Sequence, residues 1–218
     1  MYTTTDAIIL KNINYGESSV ISRIFTLDLG KISVIFKGAK RKNKNISSII
    51  ELANVVNITY YSRTNSTLKT SREVSLLYHH PNSHKVLLNY YYNMAIISLL
   101  DKLCHEADPH KKLYRTTIHT LEVIDLNQYN NDLLFLYFLL NLNRDLGFKI
   151  STDNSKINLI IDELENNIEY IKQINPDSLE IMSAINRIKI ITYNNMKHNL
   201  VDLNDIYAIK MLKSKIHD

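Results

Sequence analysis

Five cations fall within eight residues at Lys37-Gly38-Ala39-Lys40-Arg41-Lys42-Asn43-Lys44, with no acid among them. Such a density repels itself and is met either by solvent or by a polyanion. A basic loop beside a glycine, where backbone can approach closely, suits a phosphate chain. A solvated surface loop is the plainer reading of the same residues. Single-stranded nucleic acid is held by a cationic groove with aromatic faces for stacking. On that chemistry Lys37, Lys40, Arg41, Lys42 and Lys44 are the candidate phosphate contacts, with Arg23, Arg63, Lys69 and Arg72 as outer contributors. Tyr15 and Tyr61 are the candidate stacking residues. Tyr60 shares the apolar parity of Val56 and Ile58 and reads as core, whereas Tyr61 falls on the opposite face.

Other chemistry is poorly represented. Gly38-Ala39-Lys40 lacks the upstream glycine of a phosphate-binding loop, and no dinucleotide glycine pattern occurs. Cys104-His105, His110 and His119 do not have the spacing of a familiar metal site, and none is expected. No Ser–His–acid order or carboxylate cluster suggests catalysis. The expectation is a protein that is not an enzyme and carries no cofactor or metal.

The elements that must position the basic loop can be read from periodicity. Ile32, Val34 and Phe36 alternate with Lys31 and Ser33, the period of a half-buried strand, although Ile35 breaks it. Further strands are expected over Ala7 to Lys11, Ser19 to Thr26, Leu52 to Tyr61 and Leu68 to Leu77, with turns at Asn12 to Glu17, Asp28-Leu29-Gly30 and Arg63-Thr64-Asn65-Ser66. Five short strands in about 75 residues suit a small closed barrel of the oligonucleotide-binding (OB) type, which also removes aggregation-prone edges. An open meander packed on helices is the competing arrangement.

From Pro81 onward the pattern is helical. Helices are expected over Lys85 to Leu103 with Ser83 or Asn82 as cap, Lys111 to Ile124, Asn131 to Leu146, Lys156 to Ile171, Asp177 to Met196 and Asp202 to Lys213. Leu133 to Leu140 is apolar throughout, as in the central helix of a bundle, and Gly147 follows as a C′ residue. Tyr90-Tyr91-Tyr92 point in three directions on a helix and read as packing residues. The fold class is α+β: a five-stranded OB-type barrel over residues 1–80, then an all-α helical domain over 81–218.

Composition agrees with a globular chain. Of 218 residues 45% are apolar, with 4 Gly and 3 Pro, which leaves room for a sizeable core and long helices. Residues 1–78 hold eleven basic against five acidic residues, a net of +6; the remainder nets −2. Such asymmetry predicts one part that meets a polyanion and another that meets protein. A lone cysteine excludes an internal disulfide and fits a reducing compartment. The start lacks a basic n-region, and the longest uncharged stretch, Val86 to Leu100, is below spanning length, so a soluble cytoplasmic protein is expected.

Asp6-Ala7-Ile8-Ile9-Leu10-Lys11, Tyr15-Gly16-Glu17-Ser18, Phe25-Thr26-Leu27-Asp28-Leu29-Gly30-Lys31 and Lys37-Gly38-Ala39-Lys40-Arg41 occur in that order at close spacing. Together they resemble the amino terminus of the RecO family of bacterial recombination mediators. Arg144-Asp145-Leu146-Gly147-Phe148 and the ending Met211-Leu212-Lys213-Ser214-Lys215 resemble its helical part. The resemblance implies a nucleoid-associated protein in DNA repair and recombination that binds single- and double-stranded DNA and anneals complementary strands. It implies two protein partners, RecR and the C-terminal tail of single-strand-binding protein. That tail would dock on a basic, partly apolar surface, for which Lys102, Lys111, Lys112, Arg115, Arg187 and Lys189 are candidates. The chain departs from many relatives at residues 149–175, which contain no Cys or His where those relatives carry a four-cysteine zinc site; four N or S ligands are needed there. A generic OB-type single-stranded DNA or RNA module, with helices for dimerisation or protein interaction, is the alternative.

Overall fold

A computed structural model of the chain describes residues 1–41, 45–62, 67–83 and 85–216. Five strands come first: β1 (Tyr2–Tyr15), β2 (Ser19–Thr26), β3 (Gly30–Phe36), β4 (Val55–Tyr61) and β5 (Leu68–Tyr78). They close in the order β1-β2-β3-β5-β4, with β3 and β5 parallel and every other pair antiparallel. A short helix, α1 (Ile46–Ile49), lies between β3 and β4 in sequence, and Ile46, Ile49 and buried Ile50 pack on the barrel interior. The architecture is an OB-type barrel followed by helices, and the open meander is excluded by the β1–β4 closure.

Two cores explain why Ala7–Leu10 is apolar without a break. Ala7 and Ile9 point into the barrel with Ile24, Ile32, Val34, Phe36, Val56, Ile58 and Tyr60. Ile8 and Leu10, with Phe25 and Val55, point outward and join the helical core. The barrel wall is therefore buried on both faces here, and strict alternation gives way to a continuous run. For the same reason Ile35 and Lys31, on the outer face of β3, are covered rather than solvated.

The helices are α2 (Leu87–Leu103), α3 (Lys111–Leu126), α4 (Asn131–Asp145), α5 (Ser155–Asn166), α6 (Tyr170–Gln173), α7 (Leu179–Asn199) and α8 (Tyr207–Ile216). Leu133 to Asn143 in α4 are all buried, as expected of a central helix. Asn130 caps its start by accepting from the Asp132 and Leu133 amides. Gly147 (φ +88°) ends it, with the Phe148 amide donating to the Asn143 carbonyl at 2.8 Å. Tyr92 is buried, and Tyr90 and Tyr91 meet edge to face.

Four expectations are corrected. The strand predicted over Ala7 to Lys11 extends from Tyr2 to Tyr15, so Asn12–Tyr15 are strand and only Gly16–Ser18 turn. The strand predicted from Leu52 begins at Val55. Ser83 does not cap α2; its amide and hydroxyl, with the Asn82 amide, donate to Asp125 Oδ1 at 2.7, 2.9 and 3.0 Å. The helix predicted over Lys156 to Ile171 stops at Asn166. Asn166-Asn167 are weak helix formers, and Asn167 is extended. Ile168, Ile171 and Ile174 continue the buried stripe beyond the break, which is why the periodicity looked unbroken.

α4 and α5 are joined by polar contacts. Arg144 pairs with Glu165 at 3.0 Å and also donates to Asn141, whose amide donates to the Glu165 carbonyl at 3.1 Å. Barrel and helices are fastened as tightly. A Cβ on Gly30 (φ +66°) would sit 2.0 Å from the Asp108 carbonyl oxygen, so only glycine fits this contact. The Ala107 amide donates to the Lys31 carbonyl at 3.1 Å, and Lys111 pairs with Asp28 at 2.9 Å. Asn127, in the left-handed region, closes α3, and Asp145 in the last turn of α4 accepts from His110, the residue before α3, at 2.5 Å.

Candidate nucleic-acid interface

The described part of the basic loop, residues 37–41, is anchored to the barrel. Ala39 is fully buried in the barrel core, and the Lys40 amide donates to the Ser18 carbonyl at 3.0 Å. Gly38 adopts φ +69°, which lets the Arg41 amide reach the Gly38 carbonyl at 3.1 Å and lays the Arg41 stem over the glycine. Lys37, Lys40 and Arg41 are left exposed on a fixed backbone. Lys42 and Lys44 lie outside the described residues, as does Arg63. Tyr15 ends β1 immediately before the Gly16–Ser18 turn to which Lys40 is bonded, and it is exposed.

A groove runs along β5 from this loop. One hollow, of about 390 Å³, is lined by Phe36, Lys37, Ile46 and Ser71 to Val74. A second, of about 500 Å³, is lined by Tyr2, Tyr61 and Thr70 to Glu73. Ser71, Arg72 and Glu73 are common to both, so the two hollows adjoin along β5, Lys37 lining one and the tyrosine pair the other. Tyr2 and Tyr61 are cross-strand partners on β1 and β4; their ring centroids lie 5.4 Å apart at 55°. The Arg72 guanidinium sits 5.5 Å from the Tyr2 centroid and donates to its hydroxyl at 3.4 Å. Tyr2 is 55% exposed and Tyr61 39%, so ring surface remains for a base. Glu73 is the one acid lining the path among the described residues.

Tyr2 was not among the sequence candidates. The signal was there, since Tyr2-Thr3-Thr4-Thr5 is rich in strand formers, but a strand begun at Ala7 leaves Tyr2 without a partner. Tyr60 is buried in the barrel, where burial pushes its hydroxyl pKa up.

Other candidates fall elsewhere. Arg23 donates to Asp101 Oδ2 at 2.5 Å across the barrel–helix seam and does not reach the groove. Lys69 donates to Ser62 Oγ at 2.9 Å and lines a separate hollow with Leu29 and Tyr60. The six candidate docking cations differ in their surroundings. Lys111 is paired with Asp28 and Lys189 with Asp132, Lys112 and Arg115 are exposed on α3, and Arg187 is exposed on α7. Lys102 lines a cleft between α2 and β1. Cys104 is buried, which pushes its thiol up to about 12, and no metal-binding group of His, Cys, Asp and Glu forms among the described residues. No helix of the described residues is long and apolar enough to cross a membrane.

Two family models match the chain: Recombination protein O N terminal over residues 1–79, and Recombination protein O C terminal over residues 84–157. The chain belongs to the RecO family. Its similar relatives include the DNA repair protein RecO of Salinibacter ruber, 26% identical over 72% of this chain and 60% of the relative. That of Chlorobium limicola is 26% identical over 70% of this chain and 59% of the relative. That of Thermoanaerobacter sp. is 28% identical over 69% and 60%. The chain thus spans about 60% of the length of the curated relatives it matches. Within the RecO family match, the N-terminal model covers every strand of the barrel and all the described groove residues, and the C-terminal model ends near the start of α5.

Proposed function

We propose that this chain binds DNA along the β5 groove and acts in repair as a recombination mediator. The observation that carries the reading is the groove itself: exposed tyrosines lining one hollow, an exposed lysine the other, Arg72 shared by both and an anchored basic turn beside Lys37. In this reading Lys37, Lys40 and Arg41, continued by Lys42 and Lys44, hold phosphates, and Tyr2 and Tyr61 take an unstacked base. Double-stranded DNA uses the same cations without the rings. Arg72 orients the Tyr2 ring and adds positive charge; Tyr15 extends the path beside the basic turn, Arg63 is a further cation of the same domain, and Arg23 and Lys69 contribute field rather than contact. Holding single strands in an extended, unstacked form favours pairing with a complement, and the protein would act together with RecR and the C-terminal tail of single-strand-binding protein to load recombinase on covered DNA.

Tyr2→Ala/Tyr61→Ala is expected to weaken binding of a labelled single strand by about tenfold or more, since stacking contributes roughly 1–3 kcal/mol per base. Affinity for a duplex of equal length should stay within about twofold, because paired bases present no free face to the rings. Fluorescence anisotropy on both probes reads the difference. Equal losses on both probes, or none, would remove the tyrosines from the interface.

A further inference from the structure

The groove holds one charge of the wrong sign for a phosphate chain. Glu73 lines both hollows, is exposed, and makes no ion pair or hydrogen bond with a described residue. Arg72, beside it in sequence, is turned to Tyr2 instead. Other acids of the barrel are engaged: Asp6 accepts from Asn57 at 2.7 Å, and Asp28 pairs with Lys111 at 2.9 Å. A free carboxylate repels the backbone of a nucleic acid. Its place in the groove calls for donors that the strand itself carries.

The strand register sets Glu73 beside the rings. Val74 packs on the barrel interior, so Glu73 is on the outer face. There Tyr2 and Tyr61 form one cross-strand row, and the next row is Thr4 on β1, Thr59 on β4 and Glu73 on β5. The slip between Thr59 and Tyr60 leaves Arg72 as the extra residue of β5 between the two rows. Residues of one face are two apart along a strand, so the rows lie roughly 7 Å apart. The Thr4 and Thr59 hydroxyls bond to each other at 2.8 Å, which leaves Glu73 as the charged acceptor of its row. A base stacked on the tyrosine rings can turn one edge toward that row.

We propose that Glu73 reads the Watson–Crick edge of a guanine in a single strand whose base stacks on Tyr2 and Tyr61. The assignment rests on the reading of the groove as a DNA site. An ionised carboxylate offers two acceptor oxygens and no donor. Guanine carries two adjacent donors on that edge, N1–H and the N2 amino group, which match the two oxygens as a fork. Cytosine and adenine offer one amino group beside a ring-nitrogen acceptor. Thymine offers one N–H between two carbonyls, whose oxygens the carboxylate repels. In a duplex this edge is already paired, so the preference belongs to single strands.

The test compares labelled single strands of equal length on the full chain by fluorescence anisotropy. One is thymine throughout, one alternates thymine with guanine, and one alternates thymine with inosine. Inosine keeps a purine face for stacking but lacks the N2 amino group. The wild type should bind the guanine strand about fivefold or more tightly than the thymine strand, the low end of what a bidentate base contact gives, with the inosine strand between them. Glu73→Gln, at an exposed position, loses one acceptor and gains a donor. It should bind the three strands alike, and the thymine strand at least as tightly as the wild type does, because a repelling charge is gone. Equal affinity of the wild type for all three strands overturns the role of Glu73 while leaving the groove as a DNA site. So does an inosine strand bound as tightly as the guanine strand, or a guanine preference kept in Glu73→Gln. A wild type that binds none of the strands overturns the groove reading and this assignment with it.

Discussion

Arg144→Met is expected to destabilise the fold by about 3 kcal/mol, because removing one member of a buried pair strands the other. The Glu165 side chain is 1% exposed, and Arg144 is the cation paired with it among the described residues. Chemical denaturation should show a clear fall in the urea midpoint. Replacing both members, Arg144→Met/Glu165→Met, should recover most of the loss, since apolar residues of similar size fill the space without a charge to solvate. A single variant that costs less than about 1 kcal/mol would show that the pair is not effectively buried. The pH dependence carries a second signature. Burial pushes the Glu165 carboxyl above its ordinary range, and Arg144 pulls it partly back. The folded state therefore binds that proton more tightly than the unfolded chain. The resulting stabilisation is present below the ordinary carboxylate pKa and is lost as the pH rises through the raised value. Without Arg144 the folded value rises further, so the deficit of Arg144→Met should shrink on acidification. This matters for the α4–α5 junction, which in this chain is held by the ion pair and the Asn141 amide.

The second large effect is expected at Asp125. It is buried on α3, and one of its oxygens accepts three bonds from the 81–83 turn that leads from β5 into α2. Asp125→Ala leaves two amides and a hydroxyl without that acceptor, at roughly 1–3 kcal/mol for each unsatisfied donor, so a total loss of about 3 kcal/mol or more is expected. Asp125→Asn keeps an oxygen but loses the charge that strengthens each bond, and should cost about half as much. Thermal denaturation measures both, and amide exchange at Asn82 and Ser83 should quicken in the alanine variant before the rest of the protein responds. If Asp125→Ala and Asp125→Asn behave alike, charge at this position contributes nothing. Because α2 also forms one wall of the β1–α2 cleft, the same turn sets the geometry of that cleft.

What the sequence made legible, and what it hid, follow from the range of the interactions concerned. Alternation over a few residues placed Ile32, Val34, Phe36 and Tyr60 in the barrel and Tyr61 outside it, because a strand's faces are a local property. An unbroken apolar run placed α4 at the centre of the helices for the same reason. The basic loop was visible from charge density, but its rigidity was not: that depends on Ala39 entering the barrel core and on Lys40 meeting Ser18 across the barrel end. Arg23 looked like a free cation, because its partner Asp101 is 78 residues away. Ser83 looked like a cap, because a serine before a helix usually is one, and the competing acceptor Asp125 belongs to another helix. The groove depended on a similar long-range fact, the pairing of Tyr2 with Tyr61 across the closed barrel. The docking candidates were chosen by charge alone, and charge without position could not separate the paired Lys111 and Lys189 from the open Lys102.

The central claim is that the anchored basic turn and the β5 groove carry phosphates. The most direct measurement is anisotropy of a labelled single strand across a salt series, with wild type beside Lys37→Ala/Lys40→Ala/Arg41→Ala. All three residues are exposed, so the fold should tolerate their loss. The account predicts weaker binding on every sequence tested and a log–log salt slope flatter by about two units, the release expected from three lost phosphate contacts on a single strand. A triple variant that matches wild type in both affinity and slope would contradict it.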